Sequence, residues 1–104
     1  MGRISSQQTG ITQQELQEAI PVSLQSKDVH LHWIDKSPCG KGKYTLTAKI
    51  EINGQVLLLR CDTCDIRLME DWDVDDPSYH TNARLVSLER ILTDPNNEEK
   101  ILAL

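Results

Sequence analysis

The sequence predicts an α+β domain: a small antiparallel sheet of three to four strands, covered by a short N-terminal helix and a C-terminal helix. Three observations carry this reading. Asn53-Gly54 separates two runs of alternating residues, a capping pattern opens residues 11–20, and a helical apolar stripe occupies residues 83–93. A chain of 104 residues has room for one hydrophobic core, and with 4% aromatic content and no Phe that core must be aliphatic.

In chain order, residues 1–10 are rich in Ser, Gln and Gly and read as a disordered tail, leaving 11–104 as the domain. The opening Met1-Gly2-Arg3-Ile4-Ser5-Ser6 fits the N-myristoylation pattern, which is short enough to match often by chance. Thr12 and Glu15 have the spacing of a capping box, and Ile11 is placed to staple onto Leu16. Pro21 stops that helix.

Residues 29–34 alternate as a half-buried strand, with Val29, Leu31 and Trp33 assigned to the core and His30, His32 and Ile34 to the other side. Lys36 to Lys43, reading KSPCGKGK, has the Pro and Gly content of a loop. Tyr44–Ile52 and Gln55–Cys61 then alternate around Asn53-Gly54, the strongest short hairpin signal. A two-residue turn there sets Ile52 opposite Gln55, Ile50 opposite Leu57, Ala48 opposite Leu59 and Leu46 opposite Cys61. One face of the hairpin is therefore apolar and buried.

Ile66, Leu68 and Trp72 suggest a fourth strand over residues 66–72, followed by a solvated acidic stretch from Glu70 to Asp76. Asn82 is placed to cap a helix over 83–93, whose Leu85, Leu88, Ile91 and Leu92 fall on one face. Asp94-Pro95 ends it, and Asn97 with Glu98 and Glu99 opens a short terminal helix.

Charge constrains the partners. The formal net charge is −5, and residues 68–104 alone carry nine acidic against three basic side chains. Phosphate binding draws its affinity from clustered Lys and Arg, so general nucleic-acid binding is disfavoured. Lys36, Lys41 and Lys43, with Lys49 beside them, leave room for a local contact. These lysines and the acidic Asp71, Asp73, Asp75 and Asp76 are the two surfaces expected to meet a protein partner. No apolar run approaches the ~20 residues of a membrane span, and the N-terminus lacks the apolar stretch of a secretory signal. Three cysteines cannot all pair within one chain, which points to a reducing, cytoplasmic setting. The acidic stretch lacks the Gly and Glu spacing of an EF-hand, and GKGK lacks that of a phosphate-binding loop. No nucleophile has a placed base, so no enzymatic activity is expected.

Cys61-Asp62-Thr63-Cys64 is the chemically pointed feature. Two cysteines separated by two residues can grip one metal ion, and the hairpin register brings Cys39 to the same open end. Zinc is the expected ion, with His80 as fourth ligand after Cys39, Cys61 and Cys64; Asp65 or a water is the alternative. The other readings are buried structural thiols, and redox chemistry at Cys61 and Cys64. Asp62 and Asp65 would raise the thiol pKa, which weighs against redox.

Residues 36–65 resemble a zinc ribbon in which a hairpin joins two Cys-x-x-Cys knuckles, with Lys36 standing where the first cysteine of the upstream knuckle would be. That resemblance implies a structural metal. The 13-residue run INGQVLLLRCDTC is also similar to the strand–turn–strand core of the bacterial large-subunit ribosomal RNA accumulation family, a likeness too short to carry an assignment. The expected function is therefore a small non-enzymatic binding module, stabilised by zinc and acting on another macromolecule. The alternatives are a thiol-dependent redox or metal-sensing protein, and an acidic charge-mimicking inhibitor of a basic partner.

Overall fold

A computed structural model describes residues 11–74 and 77–104, with backbone alone for 77–81. Three strands, β1 (Val29–Gly40), β2 (Lys43–Ile52) and β3 (Gln55–Thr63), form an antiparallel sheet in the order β1-β2-β3. Four helices among the described residues complete the α+β fold: α1 (Gln13–Ala19), α2 (Ile66–Trp72), α3 (Pro77–Thr93) and α4 (Pro95–Leu102). A single 3-10 turn, Val22–Leu24, follows α1. No helix among the described residues is long and apolar enough to cross a membrane.

The hairpin forms as its turn chemistry requires. Asn53 and Gly54 both take left-handed φ angles, 51° and 85°, and the two strands pair in the expected register, Ile52 with Gln55 through Leu46 with Cys61. Asn53 does further work beyond the turn. Its Oδ1 accepts from the Asp28 amide at 2.9 Å and its own amide donates to the Asp28 carbonyl at 2.8 Å, fixing the start of β1 beside the turn. Leu46, Ala48, Ile50, Ile52 and Leu59 are fully buried on the inner face. Helix α3 packs against β2 and β3 there, and also against α1, α2 and α4.

At α1 the capping box closes in both directions: the Thr12 hydroxyl accepts from the Glu15 amide, and Glu15 accepts from the Thr12 amide. Ile11, Leu16 and Ile20 join the core.

Five expectations are corrected. The segment 36–43 is not a loop: β1 runs to Gly40 and turns through Lys41 and Gly42, both left-handed, directly into Lys43. Trp33 is not a core residue. A bulge between Leu31 and Trp33 inserts one residue, so that Ile34 opposes buried Ala48 while Trp33 opposes Lys49 on the outer face. Residues 66–72 are helix, not a fourth strand. Asp65 caps it by accepting from the Leu68 amide, and Leu68, Met69 and Trp72 form its buried stripe. Helix α3 begins at Pro77, not after Asn82, and α4 begins at Pro95 with Asp94 as its cap, because Pro fits a first helical turn, where its missing N–H costs nothing.

Candidate functional site

The three cysteines sit at one end of the sheet but are not gathered. Strand β3 continues through Thr63, so extended backbone separates the Cα atoms of Cys61 and Cys64 by about 10 Å at ~3.3 Å per residue. Cys61 faces the core and is buried, whereas Cys64 and Cys39 are exposed. Cys39 lies at the second irregularity of β1, between Pro38 and Gly40, with the whole of β2 between it and β3. Thiolates on one zinc stand within about 4 Å of each other. Among the described residues, no group of three or more His, Cys, Asp or Glu lies close enough to hold one ion. The His80 side chain lies outside the described residues, as do Asp75 and Asp76.

The polar groups around Cys61-Asp62-Thr63-Cys64 serve the fold. Arg90 of α3 donates to the Thr63 hydroxyl at 3.0 Å and to the Asp65 carboxylate at 2.9 Å. The same Thr63 hydroxyl accepts from the Asp65 amide, so one guanidinium pins the junction of β3 and α2. Asp62 accepts from the Thr45 hydroxyl across the strands. Burial pushes the Cys61 thiol above its ordinary value of 9.0, with Asp94 and Asp62 adding to the rise and Arg90 opposing it.

These placements predict a thiol pattern. At pH 8 an aromatic disulfide reagent should modify Cys39 and Cys64 at once, with Cys61 reacting only on unfolding. A metal held by all three thiols would instead block every one until a chelator is added. The raised Cys61 pKa also fixes a sign. The folded state keeps the thiol proton above pH 9.0 while the unfolded chain loses it, so this contribution to stability is intact below that pH and falls as pH rises beyond it.

Two residues assigned to separate partner surfaces meet each other. Lys36 opposes Leu46 on the inner side of the sheet, and its Nζ donates to Asp73 at 3.0 Å. The ammonium also stands 5.3 Å from the Tyr44 ring centroid, and the Lys36 side chain is only 16% exposed. This lysine ties the end of β1 to the turn after α2. Lys41 and Lys43 remain exposed at the hairpin tip, while Asp71 is half-buried.

The feature that sequence reasoning missed is the outer face of the sheet, which is helix-free among the described residues. On either side of the bulge it carries aligned rows: His30, Glu51 and Val56 before it; Trp33, Lys49 and Leu58, then Asp35, Thr47 and Arg60, after it. Val56 and Leu58, at successive outward positions of β3, are each 49% exposed. The signal available in the sequence was VLLL at 56–59, where outward positions of a strand are as apolar as inward ones. No known protein family, no curated protein and no solved structure matches this chain.

Proposed function

We propose that the protein is a small binding module that docks a protein partner on the helix-free face of its sheet. The supporting observation is the row of Trp33, Lys49 and Leu58 with Val56 beside it. Single exposed apolar side chains are ordinary on any surface. Here two large ones are neighbours on one strand, and the chain's scarce aromatic content places Trp33 two strands away in the same row. Lys49 and Arg60 lie among Asp35, Glu51 and Asp62, so the patch carries both signs of charge around an apolar centre. That arrangement suits a protein surface better than a polyanion. Thiol-dependent chemistry gains no support, because the Cys61 sulfur is buried and its pKa raised.

A photo-crosslinking group placed at position 58 tests the reading in an extract of the source cells. One dominant adduct is expected, and excess unlabelled chain should suppress it. The double variant Val56→Thr/Leu58→Thr keeps β-forming side chains and should compete about ten-fold less well, given the ~1 kcal/mol or more that such contacts contribute. Equal competition by the variant would refute the assignment.

A further inference from the structure

A second surface lies on the opposite side of the molecule from the helix-free face. Helices α1 and α3 pack side by side and leave an open groove of about 320 Å³ between them. Ala19 from α1 and Leu85 and Val86 from α3, each only partly buried, line it together with the exposed Asn82. Its banks are acidic: Glu15 and Glu18 on one side and Glu89 on the other. Glu15 already accepts from the Thr12 amide in the capping box. Among the described residues, no lysine or arginine forms an ion pair with Glu18 or Glu89, both of which are exposed.

Glu15, Glu18 and Ala19 follow one helical stripe of α1; Leu85, Val86 and Glu89 follow one of α3. A groove between two helices accepts the side-chain ridge of another helix laid along it. The carboxylates on both banks specify the charge of that helix. They repel an acidic segment and, because the contact is partly desolvated, attract a cation more strongly than a fully hydrated carboxylate would. The excess of acidic residues in the C-terminal third favours approach of the same kind of partner.

We infer that the α1–α3 groove is a docking site for a cationic amphipathic helix of a partner protein, its apolar stripe on Ala19, Leu85 and Val86 and its Lys or Arg side chains paired with Glu18 and Glu89. The named residues span about one turn of each helix, so the segment it takes is short. Its residues are distinct from those of the sheet face.

The test uses the full chain and a fluorescein-labelled 14-residue helical peptide, with a leucine stripe flanked by lysines on both sides. A scrambled peptide of the same composition is the control for bulk charge attraction. In fluorescence anisotropy the amphipathic peptide should bind about ten-fold more tightly than the scrambled one. Glu18→Gln/Glu89→Gln should weaken it about five-fold, as expected for the loss of two partly exposed ion pairs. Glu98→Gln/Glu99→Gln removes the same charge from α4 and should leave affinity within two-fold, as should Val56→Thr/Leu58→Thr on the sheet face. Amide chemical-shift changes in the unmodified chain, which need no variant, should centre on residues 15–19 and 85–89. Equal binding of both peptides, equal losses from the two charge-matched double variants, or shift changes centred on Glu70–Asp73 would each overturn the assignment.

Discussion

Replacing Trp72 with alanine should destabilise the fold by about 3–5 kcal/mol, the range for removing a buried aromatic side chain and leaving a cavity. Trp72 closes α2, is 6% exposed, and packs against α3. Its indole Nε1 donates to the Ser87 hydroxyl at 3.2 Å, and that hydroxyl donates onward to the Ala83 carbonyl at 2.8 Å. The guanidinium of Arg84 stands 5.2 Å from its ring centroid. With a urea dependence of about 1–3 kcal/mol per molar, the unfolding midpoint should fall by roughly 2 M. Trp72→Phe separates the components. It keeps most of the ring but removes the donor to Ser87, whose own bond to Ala83 survives, so it should cost only about 1 kcal/mol. If both variants unfold at the same urea concentration, the hydrogen bond rather than the ring volume holds α2 in place.

Trp72 also marks where sequence reasoning reached its limit. Residues 66–72 read as a strand because Ile66 and Leu68 alternate, yet Leu68, Met69 and Trp72 lie at i, i+1 and i+4, which is equally the stripe of a helix. Asp65 three residues before Leu68 decided the matter as an N-cap, and an aspartate after a cysteine reads more readily as a metal neighbour. A seven-residue segment carries too little periodicity to choose between the two. The Asn53-Gly54 hairpin is the opposite case. Its turn demands two left-handed residues in sequence, only a few pairs supply them, and the register of nine residue pairs then follows without tertiary information.

The outer face of the sheet was hidden for a different reason. Alternation in residues 29–34 was read correctly as far as Leu31, and one inserted residue then reversed every later assignment. A bulge has no sequence signature of its own here. It reveals itself only through Ile34, the apolar residue that the uninterrupted pattern would have left facing away from the core. The ion pair of Lys36 with Asp73 spans 37 positions and depends on α2 being a helix, so it lay beyond local pattern. The cysteines are a different case. The hairpin register places Cys39, Cys61 and Cys64 at one end of the sheet, but Cys61 is buried while Cys39 and Cys64 are exposed, and among the described residues no three candidate ligands converge.

Asn97→Asp changes one atom type and is expected to cost about 3–5 kcal/mol at pH 7, because it leaves an uncompensated charge in the interior. Asn97 is 2% exposed, and its side-chain amide donates to two carbonyls, Arg60 of β3 and Ile91 of α3, each at 2.8 Å. One side chain thus joins α4 to both the sheet and the central helix, and satisfies a carbonyl on the outer edge of β3. An ionised carboxylate in its place would offer only acceptors to two acceptors. Protonation relieves that conflict in part, so the folded state would bind a proton more tightly than the unfolded chain does. Sign follows from linkage: the deficit of the variant relative to the native chain should be largest at pH 7 and shrink as pH falls toward the ordinary carboxyl range. Asn97→Ala, which removes the donors without adding charge, should cost about 2–3 kcal/mol with no such pH dependence. Urea unfolding of the three proteins at pH 7 and pH 5 distinguishes these outcomes. A flat pH response for Asn97→Asp would mean that water reaches the carboxylate, and that α4 is held to the sheet by Ile101 and its neighbours in the core rather than by this amide.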